Sequence, residues 1–297
     1  MNIYTETQEI LKKYKIQANK SLGQNFLISD DVVNTIIEEA NIQDRDLIIE
    51  IGPGLGVLTN KILEKTKNVI AVELDKRMVE ILKDRFSNSN LKIINEDILK
   101  VDLTKIIREY KINQDINNVK IVANLPYYIS TPIITKLLAS RLEIDEIIVM
   151  VQKEVADRIV SKTGTRNAGA ITYFVDYYSE AKPIIKVGKE SFIPSPKVES
   201  EVISLKVRKS PKINVLNEEM LFNVIQKAFL QRRKTLENAL VNYNILENKE
   251  EVEKMFITLN IDSKIRGEKL TLEQFGEIAN YLTKTLSIVF KNVIKKY

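Results

Sequence analysis

The chain of 297 residues carries 45 Lys and Arg against 40 Asp and Glu, a formal net charge of +5, which permits a nucleic-acid partner without requiring one. It contains no cysteine and no histidine, so disulfides, thiolate zinc sites, serine–histidine triads and histidine bases are excluded. No stretch reaches the length of a membrane span, and the N-terminus has no apolar signal-peptide core. We therefore expect a cytoplasmic protein without a membrane partner or a metal.

Residues 1–20 are polar and rich in lysine, and we interpret them as a basic N-terminal arm. For residues 1–14 a frayed terminus is preferred over a phosphate-contacting tail, with a short amphipathic helix before the arm as a further option. The segment 20–27 reads Lys-Ser-Leu-Gly-Gln-Asn-Phe-Leu, and its Gly-Gln-Asn run suits ligand contacts in a loop. A helix is predicted from Asp30 onward, because one apolar stripe follows it: Val32, Val33, Ile36, Ile37 and Ala40.

Residues 47–51 are the first clear strand, and the turn Gly52-Pro53-Gly54-Leu55-Gly56 and a helical stripe follow it. This order is typical of a nucleotide-binding βα unit. The Gly-x-Gly-x-Gly spacing departs from the Gly-x-Gly-x-x-Gly dinucleotide fingerprint, and Pro53 removes one N–H that would bind phosphate. A cofactor without phosphates, such as S-adenosylmethionine, fits better. A nicotinamide dehydrogenase is the alternative, disfavoured by this spacing and by the missing histidine proton donor.

Acidic residues follow the next two predicted strands. Glu73 ends the strand that begins at residue 69 and suits the two hydroxyls of a ribose, although a solvated carboxylate is the alternative. Asp97 follows strand 91–94, where it would meet the adenine amino group of a cofactor. Residues 108–118 are interpreted as a connecting loop. Ligand-like residues at several strand ends indicate a single crevice, and these residues are Glu50, Gly52, Glu73, Asp97 and Asn124.

The fourth strand, 119–123, leads into Asn124-Leu125-Pro126-Tyr127. Pro126 biases Leu125 toward an extended conformation, which would aim the Asn124 side chain and the Leu125 carbonyl at one point. Both groups accept hydrogen bonds from an exocyclic amine, and Tyr127 can stack on the ring that carries the amine. A plain strand-to-helix turn is the structural alternative. The tetrapeptide resembles the substrate motif of amino-directed adenine and cytosine methyltransferases.

The β-branched runs 183–187 and 202–207 predict a terminal hairpin. Its long connection contains Phe192-Ile193-Pro194-Ser195-Pro196-Lys197, which two prolines stiffen. Phe192 either supplies a ring opposite Tyr127 or packs in the core beneath the loop.

A domain boundary is placed at Ser210-Pro211, because no convincing β pattern follows it. Helices are predicted over 221–240, 249–259 and 272–290. Upstream, residues 171–178 are interpreted as a helix, with a strand as the alternative. The basic run Gln231-Arg232-Arg233-Lys234 is placed on the first C-terminal helix. It is either a solvated helix face or a phosphate-binding patch, for which arginine is well suited.

From about residue 20 to residue 282 the chain resembles the ribosomal RNA adenine dimethyltransferases, which dimethylate two adjacent adenosines near the 3′ end of small-subunit RNA. The segments that carry the resemblance are 20–27, 50–56, 73, 97, 124–127, 151–154, 192–198, 229–234 and 266–275. The resemblance implies an α/β fold. A Rossmann-like methyltransferase domain over 21–209 would follow the arm 1–20, and a small all-helical RNA-binding domain would span 210–297.

The resemblance also implies the residues of the site. S-adenosyl-L-methionine would be bound by Gln24, Asn25, Leu27, Glu50, Gly52, Gly54, Glu73, Leu74, Asp97, Ile98 and Asn124. The target adenine would be held by Asn124, Leu125, Pro126, Tyr127 and Phe192, and RNA by Lys197, Arg232, Arg233 and Lys234. The expected activity is methylation at N6 of two adjacent adenosines of 16S rRNA within the small ribosomal subunit, by a monomeric enzyme with a role in subunit biogenesis.

Two alternatives stay open. The antibiotic-resistance methyltransferases of large-subunit RNA share the first half, but they generally lack a basic run like 231–234 and have a shorter tail. A mainly RNA-binding assembly factor is disfavoured by the intact residues 124–127 and Glu73.

Two positions depart from the family pattern. Tyr128 stands where many members have asparagine, and residues 167–170 replace an aromatic-glycine-arginine run. The second departure leaves the RNA contacts of that loop open.

Overall fold

A mixed seven-stranded β-sheet organises the larger part of the chain. The computed structural model describes residues 2–19 and 22–294, with side chains for residues 2–19 and 22–285. Lys20, which begins the motif 20–27, and Ser21 lie outside the described residues. The chain divides into a sheet unit, Met1–Ala156 with Glu180–Arg208, and a helical unit, Asp157–Ser179 with Lys209–Tyr297.

The strands form one large and one small sheet. They are β1 (Phe26–Leu27), β2 (Leu47–Ile51), β3 (Val69–Glu73), β4 (Lys92–Asn95), β5 (Val119–Asn124), β6 (Glu146–Gln152), β7 (Ser179–Val187), β8 (Phe192–Ile193) and β9 (Ser200–Val207). The large sheet has the order β4-β3-β2-β5-β6-β9-β7, so the predicted hairpin strands β7 and β9 are neighbours. The pairs from β4 to β6 are parallel and β9 joins β6 antiparallel, while β1 pairs with β8 in the small sheet.

The order of the strands fixes where a ligand can bind. From β2 the chain moves outward to β3 and β4, and from β5 it moves outward to β6 on the other side. β2 and β5 therefore form the switch point of the parallel region, with Ile51 paired to Ala123. In such sheets the crevice beyond the carboxyl ends of the switch-point strands is the ligand site. Gly52 and Asn124 directly follow the paired residues, so the topology brings both motifs to this crevice.

Helices cover the sheet unit. They are α1 (Ile3–Lys13), α2 (Asp30–Ala40), α3 (Val57–Leu63), α4 (Lys76–Arg85), α5 (Leu103–Asn113), α6 (Ser130–Ala139) and α7 (Lys153–Ile159), within which the unit boundary falls. All residues of β2 and β3 are buried, as expected for inner parallel strands with both faces covered. None of the helices in the described part of the chain is long and apolar enough to span a membrane.

The N-terminal segment is an ordered helix, and the preference for a frayed terminus over residues 1–14 was wrong. Ile3, Thr7 and Ile10 recur one turn apart on α1 and are buried. The Asn2 side chain caps the helix, and the Ile3 N–H donates to the Asp30 carboxylate at 3.2 Å. This apolar stripe supplies the burial energy that a polar, lysine-rich terminus would lack.

Two further helix boundaries differ from the sequence predictions. α5 extends to Asn113, because Leu103 and Ile107 bury one stripe of it, so residues 108–113 are helical rather than a loop. The predicted helix 221–240 is two helices, since α9 ends at Leu230 and Thr235 caps the next helix by accepting from the Asn238 N–H. The basic run 231–234 therefore lies in the turn between the two helices and not on a helix.

The helical unit consists of α8 (Ala170–Tyr178), α9 (Glu218–Leu230), α10 (Leu236–Asn242), α11 (Lys249–Leu259) and α12 (Leu272–Ile294). It includes Asp157–Ser179, which the sequence had assigned to the domain 21–209. Tyr173 of α8 explains this grouping. Its ring lies 5.4 Å from that of Phe229 and 5.1 Å from that of Phe275, and its hydroxyl donates to the Leu270 carbonyl at 2.6 Å. The aromatic helix α8 is thus part of the core of the helical unit.

Candidate active site

A cleft of about 1070 Å³, including space open to solvent, lies in the sheet unit at the carboxyl ends of β2, β3 and β5. The structure brings every residue of the predicted cofactor set to its wall, namely Gln24, Asn25, Leu27, Glu50, Gly52, Gly54, Glu73, Leu74, Asp97, Ile98 and Asn124. Leu125, Pro126 and Tyr127 line the same cleft. The contact that each of these residues makes with a ligand stays a prediction.

The glycine turn after β2 approaches the cleft with an unusual backbone. Gly52 and Gly54 have φ values of +67° and +56°, which residues with a Cβ rarely adopt. The Gly54 N–H donates to Glu73 Oε2 at 3.1 Å. Because this N–H is already satisfied by a carboxylate, and Pro53 has none, the turn is poorly equipped to bind a pyrophosphate. The geometry favours a nucleoside cofactor without phosphates.

Glu73 is held rigidly at the end of β3. Its side chain is buried, and its Oε1 accepts the Asp75 N–H at 2.8 Å while Oε2 accepts the Gly54 N–H. Burial raises the pKa of Glu73, and the two backbone N–H groups oppose that rise by stabilising the charged form. A carboxylate fixed in this way has lone pairs in a defined direction and can accept hydrogen bonds from two ribose hydroxyls.

Glu50 is the most deeply buried carboxyl group at the cleft, with 1% of its surface exposed. The Thr59 hydroxyl donates to its Oε2 at 2.6 Å. Burial raises the pKa of Glu50 to about 8, and the negative charge of Glu73 adds to the rise. In the unliganded protein this group is therefore mostly neutral near pH 7, and a cation bound nearby would favour its ionisation.

Gln24 is positioned by a cluster that the sequence reading missed. Its Nε2 donates to Asp75 Oδ2 at 2.9 Å, and its Oε1 accepts the Asn19 N–H at 2.8 Å. Two guanidinium nitrogens of Arg77 donate hydrogen bonds to the Asp75 carboxylate, which lowers the pKa of Asp75. The signal in the sequence was the pair Asp75 and Arg77, an acid and a base two residues apart just after β3.

The Asn124 side chain lines the cleft and connects the end of β5 to the loop 22–25. Its Nδ2 donates to the Asn25 carbonyl at 3.2 Å, so Oδ1 is the atom of this amide left to accept from a ligand. The Leu125 N–H donates to the Met150 carbonyl at 3.2 Å, which ties the turn to β6. Pro126, with φ of −58°, continues the chain in an extended form. These contacts hold the turn in one conformation before any substrate arrives.

Tyr127 is half-buried and is oriented by a residue that the sequence did not single out. Its hydroxyl lies 2.6 Å from Oγ of Ser200, the first residue of β9, which is fully buried. Burial raises the pKa of Tyr127, and the hydrogen bond to Ser200 opposes that rise. The phenol is therefore neutral and fixed at one end, with its ring at the wall of the cleft.

Phe192 and Lys197 do not line the cleft. Phe192 is only 3% exposed, pairs with Leu27 where β8 meets β1, and belongs to a hydrophobic cluster of the core. Of the two interpretations, the structure places it in the core, and a ring opposite Tyr127 is not formed by this residue. Its apolar side chain, next to the buried β1, gains more from the core than from an open position at the cleft. Lys197 is exposed in the connection between β8 and β9.

The basic run divides into two kinds of residue. Arg232 donates to the carbonyls of Arg166 and Ala168 at 2.8 and 3.0 Å and lies 3.7 Å from Glu268, so it holds the loop 166–168 within the helical unit. Arg233 and Lys234 are exposed in the same turn. Arg232 therefore has a structural task that the sequence interpretation as a phosphate contact did not include.

Comparison with known proteins agrees with this geometry. A family model described as ribosomal RNA adenine dimethylase matches residues 15–284. A protein of Alkaliphilus oremlandii named ribosomal RNA small subunit methyltransferase A is 45% identical over 282 residues, covering 95% of this chain and 97% of the relative. A protein of the same name from Clostridioides difficile is 42% identical over 288 residues, covering 97% and 98%.

Solved structures share the fold. A dimethyladenosine transferase from Plasmodium falciparum superposes with a TM-score of 0.70 at 26% identity, covering 85% of this chain and 95% of that chain. The 23S rRNA methyltransferase ErmE has a TM-score of 0.64 at 21% identity and covers 87% and 100%, which is a likeness of fold. The Rossmann-like α/β class expected from the sequence is thereby confirmed, and the chain belongs to the ribosomal RNA adenine dimethylase family.

Proposed function

We propose that this chain transfers methyl groups from S-adenosylmethionine to N6 of two adjacent adenosines near the 3′ end of 16S rRNA in the small ribosomal subunit. The observation that carries the proposal is the turn Asn124–Tyr127 at the switch point, opening into the same cleft as Glu73. An amine-binding turn and a ribose-binding carboxylate in one cleft are what a methyl transfer to a nucleobase amine requires. The names of the bacterial relatives support the small-subunit substrate.

The donors and acceptors at the cleft fit S-adenosylmethionine, whose sulfonium supplies an electrophilic methyl group when the cofactor is bound. Glu73 accepts from the ribose hydroxyls, and Asp97 accepts from the adenine amino group. One oxygen of Asp97 already accepts the Leu99 N–H at 2.9 Å, so the side chain is oriented. Gly52 and Gly54 bring the backbone close, and Leu74 and Ile98 contribute apolar surface. Glu50 at the same wall is the buried carboxyl group whose ionisation a bound cation would favour.

The chain performs its part of the reaction by positioning. Asn124 Oδ1 and the Leu125 carbonyl accept the two hydrogens of the target amine, which directs its lone pair toward the methyl group and stabilises the charge that develops on nitrogen. The Tyr127 ring stacks on the target adenine, and the Ser200 hydrogen bond keeps that ring in place. The proton leaves the product amine to water, so no histidine base is needed.

The target base must be unstacked to enter the cleft, and the surrounding RNA must be held. Exposed Arg233 and Lys234 of the helical unit and exposed Lys197 of the sheet unit contact phosphates. Arg232 contributes by keeping its loop in place. The enzyme works as a monomer on a ribosomal substrate, which places the reaction in the cytoplasm.

The decisive experiment incubates the protein with labelled S-adenosylmethionine and small subunits lacking the dimethyl mark, beside naked large-subunit RNA. The RNA is then digested and its nucleosides are analysed. Dimethyladenosine formed only in the small subunit supports the proposal. Label only in large-subunit RNA would assign the chain to the resistance-type enzymes, and subunit binding without label would make it an assembly factor.

A further inference from the structure

Tyr128 is an exposed aromatic residue at the cleft to which the proposed function assigns no contact. Its surface is 56% exposed, and it lines the same cleft as Asn124 and Tyr127. An exposed aromatic ring at a binding cleft gains little from the protein interior and offers a flat apolar face to a ligand.

The ring of Tyr128 is held in a defined place. It follows Pro126 in a short 3₁₀ turn, Tyr127–Ile129, in which the Ile129 N–H donates to the Pro126 carbonyl at 3.2 Å. On its other side lies Gly23, whose φ is +62°. A Cβ on Gly23 would lie 3.3 Å from Cδ1 of Tyr128, so this glycine allows the ring to rest against the loop backbone.

Tyr127 and Tyr128 are neighbours with different surroundings. The hydroxyl of Tyr127 is bound to buried Ser200. Within the described part of the chain, Tyr128 has no side-chain hydrogen bond, and its ring makes neither a ring–ring nor a cation–π contact. The hydroxyl of Tyr127 is thus bound at the wall of the cleft, while the Tyr128 side chain has no hydrogen bond or ring contact with the residues that the structure describes.

We infer that Tyr128 is a stacking platform for the nucleobase next to the target adenosine. The inference rests on the proposed function, in which the two acceptors are adjacent. When one adenosine enters the cleft, the backbone leaves its neighbour near the entrance, unstacked from the base that was withdrawn. An aromatic ring at that point replaces the lost stacking partner and lowers the cost of extruding the target. Stacking is tolerant of base identity, so the platform does not require an amino group on the neighbouring base.

The test uses small subunits reconstituted with 16S rRNA in which only one of the two adjacent adenosines is kept. Its neighbour is either purine riboside, which has the ring without the amine, or an abasic nucleotide. Both adenosines are examined in this way. On the purine neighbour, Tyr128→Leu should lower kcat/KM by about five- to 150-fold for at least one acceptor, the range for one lost base–aromatic stack. On the abasic neighbour the wild type should lose a similar factor, and the substitution should add less than about twofold.

Two variants complete the comparison. Tyr128→Phe keeps the ring and should retain the activity on the purine neighbour. Tyr4→Leu is a matched control, because Tyr4 is 45% exposed on α1 and does not line the cleft. Equal losses for Tyr128→Leu on both neighbours, or no loss on either, would overturn the inference while leaving the proposed function intact. Absence of methylation by the wild type on unmodified subunits would instead overturn the proposed function.

Discussion

The hydroxyls of Tyr127 and Ser200 lie 2.6 Å apart and join the turn after β5 to the start of β9, 73 residues later in the chain. The serine is fully buried and Tyr127 lines the cleft, so the contact couples an interior strand to the residue that we propose stacks on the target base. Neither residue alone indicates this relationship, because nothing in the local pattern around Ser200 differs from an ordinary strand residue.

Ser200→Ala should lower kcat/KM for methylation about three- to tenfold, which is the usual net value of one buried hydrogen bond. Because the bond orients a ring and supplies no reacting atom, Tyr127→Phe should have a similar effect. The double variant should lose no more than either single variant. Ser204→Ala is the matched control, since Ser204 is buried on the same strand but donates to Glu146. Additive losses in the double variant would show that the two hydroxyls act separately.

Asn124→Ala should reduce methylation by at least about 100-fold, because the amine loses an acceptor that also stabilises developing charge. The fold should survive, since the Asn124 side chain contributes one hydrogen bond to the Asn25 carbonyl, worth about 1 kcal/mol. Nucleoside analysis and thermal unfolding measure the two quantities. Asn118→Ala, just before the start of β5, removes a comparable hydrogen bond to Asp46 and should leave methylation intact. Retained turnover in Asn124→Ala would remove this residue from the mechanism.

Glu50 predicts a pH dependence of stability with a definite sign. Its pKa of about 8 in the folded protein lies above the ordinary value of 4.5, so folding binds a proton between these values. The stability that the folded protein gains from binding this proton is fully present below pH 4.5 and is lost as the pH rises through about 8. The free energy of unfolding of the wild type should therefore fall, relative to Glu50→Gln, by at most about 1.4 kcal/mol per pH unit in this window.

Chemical denaturation across this pH range measures the effect, and the difference between the two proteins should level off above pH 8. Glu9→Gln, exposed on α1, provides the control and should follow the wild type. A constant difference between the wild type and Glu50→Gln would mean that Glu50 is ionised in the folded protein.

The two kinds of basic residue in the turn 231–234 should respond differently. Replacing Arg233 and Lys234 with alanine should weaken RNA binding and reduce the slope of log affinity against log salt by about 1.4 to 1.8, because two phosphate contacts are lost. Replacing Lys65 and Lys67, which are also exposed, removes the same charge from another surface and should leave the slope unchanged. If the salt slope were unaltered after replacement of Arg233 and Lys234, the turn would be a solvated surface without phosphate contacts.

Arg232→Ala should act on stability instead. The Arg166 and Ala168 carbonyls lose their donor, and the free energy of unfolding should fall by about 1 to 3 kcal/mol. The salt slope of RNA binding should stay within about one phosphate contact of the wild-type value. Denaturant unfolding and salt titrations separate the two effects. If the salt slope of RNA binding fell with no loss of stability, Arg232 would instead be a phosphate-contacting residue.

Several parts of the fold were readable from local pattern. The inner strands are mostly apolar runs, α8 has an aromatic stripe, and α11 occupies Lys249–Leu259 as predicted. The boundaries that failed depended on single caps and short stripes. α1 was missed because its buried stripe is only Ile3, Thr7 and Ile10, and the break before α10 depends on the one hydroxyl of Thr235.

The sequence by itself determined the chemistry available to this protein. The absence of cysteine and histidine removed whole classes of catalysis, and the residues that follow each strand indicated one crevice, because parallel strands end at the same edge of a sheet. Only the tertiary structure decided how those residues are used. Burial places Phe192 in the core, while hydrogen bonds join Arg232 to the loop 166–168 and Ser200 to Tyr127. These roles depend on contacts between segments that are distant in the chain. Periodicity reports which face of an element is apolar, but hydrogen bonds across 64 and 73 residues exist only after the chain has folded.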